Sequence, residues 1–318
     1  MISKPAGGTE IAYQQLKSKV DISKINLMVS FCRFDLLSDT KPNVLWQQLS
    51  YDQENVSLLS DPEFVRRLDA IVFVSHWQHE KFRRAFPLEN TKCYVIQNST
   101  EPFEFVEKPR DKIKLIYTST PWRGLEILVE ALKRLNRDVD VEIYSGTTIY
   151  GPGFHESMKD KFQHLYDEIE SLGIKRIEYA TNKEIRKSLE SAHILAYPST
   201  FEETSCIAAI EALSSGCKVV TTNYGALPET CGTWADYVSI NQNLVEDYVK
   251  ALQNAIDNYW NDYPERIFQS QYYKLHWSWN NRIKQWKKLI GDLTMESQEN
   301  TITINDKEYN LSDMNDQQ

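Results

Sequence analysis

Ten short runs rich in Val, Ile, Tyr and Phe, each followed by a longer stretch of helical character, recur along this 318-residue chain. Parallel strands need a crossover connection long enough to hold a helix, so this alternation is the pattern of parallel sheets covered by helices. The first four strand candidates are residues 25–31, 44–46, 70–75 and 93–97. EPFEFVEKPRDK, residues 101–112, then breaks the period with two prolines and mixed charges and reads as a linker. Six further strands follow at 113–118, 139–144, 176–179, 193–197, 218–222 and 236–240. Six such units are enough for a complete doubly wound domain, whose ligands gather at the carboxyl ends of the strands. The fold class is therefore α/β with two domains, and chemistry is sought in the strand-to-helix turns.

Charge narrows the partners. Lys and Arg total 36 against 45 Asp and Glu, a net charge of -9, which argues against broad electrostatic capture of nucleic acid or anionic membrane. The charge is unevenly spread. From Asp292 onward seven acids face Lys307 alone, a net of -6, so the preceding 291 residues carry only -3. An acidic balance and a phosphate-bearing ligand are thus not in conflict, provided that local groups hold the ligand. The five cysteines, Cys32, Cys93, Cys206, Cys217 and Cys231, are odd in number and scattered, without a Cys-x-x-Cys pair. Neither a disulfide framework nor a zinc ribbon is indicated, and a cytoplasmic location is expected. No apolar run approaches the roughly 20 residues that span a bilayer, so membrane contact is expected to be peripheral at most.

Between Tyr263 and Ile290 stand Phe268, Tyr272, Tyr273, Trp277, Trp279 and Trp286, with Arg282, Lys284, Lys287 and Lys288. A stacking surface for a nucleic-acid strand would have this composition. In an acidic chain the preferred reading is a C-terminal helix that buries its aromatics, and no nucleic acid is expected. TITINDKEYNL has a hairpin pattern around Asn305-Asp306, but an isolated hairpin is marginal, so residues 292–318 are expected to be an acidic flexible tail.

The most informative segment is PSTFEETSCIAAIEALSSGCKVV, residues 198–220. A strand ending at Tyr197 enters a Pro-Ser turn, Thr204 and Ser205 offer N-cap hydroxyls, and Gly216 supplies a stop. The result is a short helix at a strand's carboxyl end, whose free N–H groups and dipole suit an anion such as a diphosphate. Glu203 precedes this helix and Glu211 lies within it among Ile207, Ala208, Ala209, Ile210, Ala212 and Leu213. A carboxylate in such surroundings needs a defined partner, and a sugar or ribose hydroxyl pair is a suitable one; a solvent-facing position on a half-buried helix is the alternative.

Glu203 and Glu211, preceded by Pro198-Ser199 and followed by a Gly-Cys-x-Val-Val strand, resemble the Glu-x7-Glu motif of the family 4 retaining glycosyltransferases of the GT-B fold. GGTE at 7–10, VSHWQ at 74–78, VIQNSTEP at 95–102, TSTPWRGLEIL at 118–128 and NYGALPE at 223–229 extend the resemblance across roughly residues 7–291. Several motifs in order carry far more weight than any one alone. The resemblance implies two Rossmann-like domains facing across a cleft: 1–105 on the acceptor side, completed by a final helix crossing back at 264–291, and 106–263 binding the nucleotide sugar.

It also implies roles. Glu211 stands where the family binds the nucleotide ribose, and Glu203 where it contacts donor-sugar hydroxyls near the anomeric carbon. Thr204, Ser205 and Cys206 would offer backbone N–H groups to the donor, and Gly7 and Gly8 would let the backbone approach the phosphates. Arg123 would stabilise the departing diphosphate with a fixed charge. Three departures stand out. Thr118 occupies the place of a second base, for which Lys183 is the candidate substitute. Gln48 replaces a frequent His on the acceptor side, where His76 and Asn98 are also expected; Gln can hydrogen-bond but not act as a base. Only five residues precede Ala6-Gly7, where the family has its first strand.

Weaker signals are Asp138-Val139-Asp140, which opens a strand at the wrong end for a metal site in such a sheet, and His76 with His79, one turn apart without a third ligand. The expectation is a retaining, metal-independent glycosyltransferase that moves a sugar from a UDP- or GDP-sugar to a hydroxyl of a glycan or of a lipid- or protein-linked acceptor. No cofactor or metal is expected. The rival readings are an epimerase or phosphorylase on the same fold and a non-catalytic nucleotide-sugar or carbohydrate-binding protein.

Overall fold

The computed structural model describes residues 7–148, 151–299, 301–304 and 307–310. The chain divides into two compact units. One holds Tyr13–Val74, His79–Ile96 and the chain from Arg282 onward; the other holds Gln97–Asn281, Ser75–Gln78 and the chain up to Ala12.

The elements of the first half are α1 (Gly8–Lys19), β1 (Asn26–Val29), β2 (Asn43–Gln47), α2 (Pro62–Arg66), β3 (Ala70–Phe73), α3 (His76–Ala85) and β4 (Cys93–Val95). The four strands make one parallel sheet in the order β1-β2-β3-β4. Every residue of β2 and β3 is buried, as continuous apolar runs covered on both faces require. Phe64, Phe73 and Phe82 pack in the core of this smaller unit. Trp46 of β2 meets Trp286 edge-on at 5.2 Å.

The larger unit contains β5 (Lys114–Thr118), α4 (Leu125–Arg134), β6 (Asp140–Tyr144), α5 (Pro152–Ser171), β7 (Lys175–Ile177), α6 (Asn182–Ser191), β8 (Ile194–Tyr197), α7 (Ile207–Ser214), β9 (Lys218–Thr222), α8 (Leu227–Cys231), β10 (Ala235–Val238), α9 (Leu244–Asn258) and α10 (Tyr263–His276). Its six strands are parallel in the order β10-β9-β8-β5-β6-β7. The chain thus starts in the middle of the sheet, builds outward to β7, then returns to β8 beside β5. Strand order reverses between β5 and β8, and at such a point the helices that follow the two strands lie on opposite faces and leave a crevice. All ten strands anticipated from the sequence are present.

Three expectations on domain limits are corrected. Residues 101–112 are no loose linker: Phe103 and Lys108 are buried, and Lys108 Nζ donates to the carbonyls of Leu189 (2.7 Å) and Glu190 (3.1 Å) at the end of α6. Those carbonyls lack helical partners and accept from the buried Lys108 amine, whose pKa burial lowers. Residues 264–281, expected with the first domain, belong to the larger unit. Gln269 donates to the carbonyls of Leu213 (2.9 Å) and Cys217 (2.8 Å), and Ser270 to that of Ser214 (2.6 Å), so α10 satisfies the C-terminal end of α7. Only from Arg282 does the last helix, α11 (Trp279–Glu299), join the smaller unit. Nor is the acidic segment a bare tail: α11 continues to Glu299, and β11 (Thr301–Ile304) pairs antiparallel with β12 (Lys307–Asn310). The Asn305-Asp306 turn lies outside the described residues.

Of the aromatic C-terminal residues, Tyr273, Trp277, Trp279 and Trp286 are buried, whereas Phe268 and Tyr272 are exposed. The tryptophans thus serve packing, as the reading of a helix that buries its aromatics requires. Among the described residues no helix is long and apolar enough to cross a membrane.

Candidate active site

The turns after β5 and β8 carry Arg123 and Glu203. Gly124 makes the first turn possible. Its φ is +89°, and a Cβ there would collide with the Pro198 carbonyl oxygen, so only glycine lets the two turns touch. Arg123 Nη1 donates to Glu203 Oε1 in an ion pair, and its guanidinium lies 4.2 Å from the centre of the Phe201 ring. Tyr197 OH donates to the same Oε1 at 2.6 Å. Burial holds the Tyr197 phenol well above its ordinary range, so it stays protonated and remains a donor. Removing two opposite charges from water is costly unless geometry and further hydrogen bonds compensate, and Glu203 has both. Neither bond uses Oε2, which has no hydrogen-bond partner among the described residues.

The backbone of Glu203 is gripped by residues 223–229. Ala226 N–H donates to the Glu203 carbonyl at 2.7 Å, and Gly225 sits at φ +62° with Glu203 backbone atoms where its Cβ would be. Below Glu203 the chain enters α7 through Cys206, which has φ +87° without being glycine. Such a conformation costs on the order of 1–3 kcal/mol and persists only where its surroundings enforce it. Ser75 Oγ donates to the Thr204 carbonyl (2.7 Å) and Thr230 Oγ1 to that of Ser205 (2.5 Å), holding the turn from both sides within the larger unit. No side chain caps α7, so its first N–H groups and positive dipole end are available to an anion. Gly8 lies beside this end, where a Cβ would be 3.2 Å from Ile207 Cδ1.

Glu211, one turn into α7, is 7 % exposed, and burial raises its carboxyl above the ordinary range. Its Oε1 accepts from Asn182 Nδ2 (2.9 Å) and Thr100 Oγ1 (3.4 Å), with Arg186 Nη1 at 3.9 Å. As in Glu203, Oε2 has no hydrogen-bond partner among the described residues. Two buried glutamates therefore each have one oxygen held by the protein and one without a hydrogen-bond partner among the described residues.

Residues 98–273 match the family described as Glycosyl transferases group 1, more than half of the chain. The chain belongs to that family. A phosphatidylinositol N-acetylglucosaminyltransferase subunit of Arabidopsis thaliana is 26% identical over 230 residues, covering 69% of this chain and 48% of the relative. Its Homo sapiens namesake is 24% identical over 238 residues, covering 71% and 46%. The chain thus spans about half the length of these curated relatives. Anabaena HepE, solved with UDP and glucose, is 16% identical with a TM-score of 0.65, covering 80% of this chain and 72% of that one. The fold shared with such solved structures is GT-B, two α/β domains with parallel sheets.

In this group 1 glycosyl transferase the sequence-derived residues fall as follows. Arg123 and Glu203 meet, and Glu211 lies along the adjoining helix. The N-cap of α7 is Cys206, not Thr204 or Ser205: the positive φ comes last before the helix, and the Ser205 hydroxyl is buried without a partner. The Cys206 thiol is held protonated by burial. Thr118 ends β5, and its hydroxyl is buried without a partner. Lys183 is exposed on the first turn of α6, and the cation beside Glu211 is Arg186, which no motif announced. Its signal was the i, i+4 spacing with Asn182, which puts both on one face of α6. Gly7 is buried before α1, and Asn98 is buried in the larger unit. His76 is exposed at the start of α3, where the Glu229 carboxylate accepts from the His76 and Trp77 N–H groups, both at 2.9 Å. Gln48 is buried after β2 in the smaller unit.

The two candidate metal pairs have other partners. Lys112 Nζ reaches Asp138 (2.6 Å) and Asp140 (3.3 Å), and His79 stacks on Phe73 at 5.1 Å. Among the described residues no group of three metal-ligating side chains forms.

Proposed function

We propose that this protein transfers a sugar from a UDP-sugar to an acceptor hydroxyl, with retention of anomeric configuration and without a metal ion. One observation carries the reading. At the reversal of strand order a fixed cation, an uncapped helix end and two half-engaged buried glutamates are assembled from turns far apart in sequence. Glu211 Oε2 receives a ribose hydroxyl, and the α7 N–H groups receive the diphosphate. Arg123 stabilises the charge that grows on the leaving phosphate, a term that preorganised charge supplies most effectively. Glu203 aims that guanidinium through Oε1 and offers Oε2 to a hydroxyl of the donor sugar. The departing diphosphate takes the acceptor proton on the same face. UDP as carrier is supported by the UDP bound to Anabaena HepE, and an N-acetylglucosaminyl donor by the names of the plant and human relatives. The Arg123 charge supports independence from metal, since a guanidinium can stabilise a departing diphosphate that a divalent cation would otherwise screen. Five unpaired cysteines support a reducing compartment such as the cytoplasm.

The test is a thermal-shift series with UDP, GDP and ADP, followed by incubation of the stabilising sugar nucleotide with acceptor, with and without EDTA. UDP should raise Tm, and transfer should survive EDTA with the anomeric configuration kept. Stabilisation by GDP or ADP alone would overturn the carrier assignment, and no stabilisation by any of the three would overturn the site.

A further inference from the structure

Glu211 has unequal oxygens, and the inequality has a specific cause. Asn182 and Arg186 occupy the same face of α6, one turn apart, because a capping box fixes where that helix begins: Thr181 caps it and Glu184 reciprocates. Lys183, about 100° around the helix from Asn182, cannot share that face. Asn182 Nδ2 donates to Glu211 Oε1 directly at 2.9 Å. Arg186 acts on the same oxygen by charge at 3.9 Å and through Thr100, whose Oγ1 accepts from Arg186 Nη1 at 3.0 Å and donates to Glu211 Oε1 at 3.4 Å.

Arg186 is itself anchored by backbone. Nη1 also donates to the Glu101 carbonyl (3.1 Å), Nη2 to the Pro102 carbonyl (2.9 Å), and the guanidinium lies 3.6 Å from the centre of the Phe103 ring. Thr100 in turn is held by a bridge to Ser278 and by donating its N–H to the Trp277 carbonyl at 3.2 Å. A planar fork with several donors can serve all these acceptors at once; an ammonium on a flexible stem cannot hold the same arrangement.

We propose that Arg186 is a positioning residue for Glu211: with Thr100 and Asn182 it holds Oε1 and so makes Oε2 the oxygen that receives the nucleotide ribose. The assignment rests on the reading of Glu211 as a ribose ligand. It adds that ribose recognition depends on the stretch Thr100–Phe103, through a residue that never touches the nucleotide.

The test is isothermal titration with UDP of the wild-type chain, Arg186→Met, Arg186→Lys, Glu211→Gln and the Arg186→Met/Glu211→Gln double variant, with Tm measured for each. Arg186→Met should weaken UDP binding about tenfold, Arg186→Lys should recover little of it, and the double variant should bind no more weakly than the weaker single one. A purely structural role would lower Tm without that coupling. Losses that simply multiply in the double variant, or an unchanged UDP affinity in Arg186→Met, would overturn the proposal. Should Arg186→Met fail to fold, Arg186→Lys and Thr100→Val read the same coupling. If Glu211→Gln weakens binding and the Arg186 variants do not, this inference alone falls. If the wild-type chain binds none of UDP, GDP and ADP, the ribose reading falls and takes the inference with it; if it binds GDP or ADP in place of UDP, the same variants are titrated with that nucleotide.

Discussion

Arg123 and Glu203, 80 residues apart in sequence, form an ion pair in which a half-buried guanidinium meets a buried carboxylate that is braced by Tyr197. Their separation is bridged only because β5 and β8 are neighbours in the sheet, with Leu115 beside Ile194. Arg123→Ala should lower kcat about 10²–10³-fold, the range for loss of one preorganised charge-stabilising group. It also strands a buried carboxylate, at a cost of about 3–5 kcal/mol. The Arg123→Ala/Glu203→Gln double variant should therefore regain stability without regaining turnover. Urea denaturation alongside steady-state kinetics separates the two effects, and parallel recovery of both would show that Arg123 is only structural.

Gly225 is the backing of Glu203. At φ +62°, with its Cβ position 2.5 Å from Glu203 N and 2.6 Å from its carbonyl oxygen, Gly225→Ala meets backbone that cannot turn aside. A loss of about 2–4 kcal/mol is expected, together with reduced turnover. Denaturation and activity measured on the same preparation check this; an unchanged midpoint would contradict the close approach.

His193 makes stability depend on pH. Its Nδ1 accepts from the Lys114 N–H at 2.9 Å, so Nε2 carries the proton and donates to the Pro109 carbonyl at 2.8 Å. Burial is the main cause that lowers its pKa from 6.5. The unfolded chain then binds a proton that the folded chain does not, so this contribution is fully present above 6.5 and is lost as pH falls toward the lower folded value. Tm should decline as pH is lowered from 7 through 6, and His193→Gln should flatten the decline while lowering Tm at pH 7. An equally steep decline in the variant would assign the effect to other groups.

Trp286 ties α11 to the smaller sheet through Trp46. It is fully buried, and truncation to Ala should cost about 3–5 kcal/mol. Amide exchange followed by mass spectrometry should show faster exchange in β1, β2 and β3, and slow exchange retained in β8 and β9. Uniform loss of protection would mean that the two units unfold as one.

The strands were legible because each needs only its own run of buried β-formers, and the paired glutamates because their spacing survives in the chain. The fixed cation was legible for the same reason, through Arg123-Gly124. Cys206 was not: a hydroxyl is the favoured cap, and nothing local announces a cysteine held at φ +87° by Ser75 and Thr230. Arg186 was missed because its partners, Thr100, Glu101, Pro102 and Glu211, are 84 to 86 residues before it or on the following helix. Residues 264–281 were misassigned because their aromatics suit either unit, and the choice rests on Gln269 and Ser270 meeting the last carbonyls of α7.

By itself the sequence determined the ten parallel strands, the alternation that makes the two larger sheets parallel, and the pairing of Glu203 with Glu211 around one short helix. These are consequences of local pattern, where period, turn chemistry and spacing act within a few residues. Tertiary structure alone decided which oxygen of each glutamate is held, which cation stands beside which carboxylate, and which unit claims α10. Those outcomes depend on the order β10-β9-β8-β5-β6-β7, which brings distant turns together at one reversal point. Packing and hydrogen bonds then fix the orientation of the side chains gathered there.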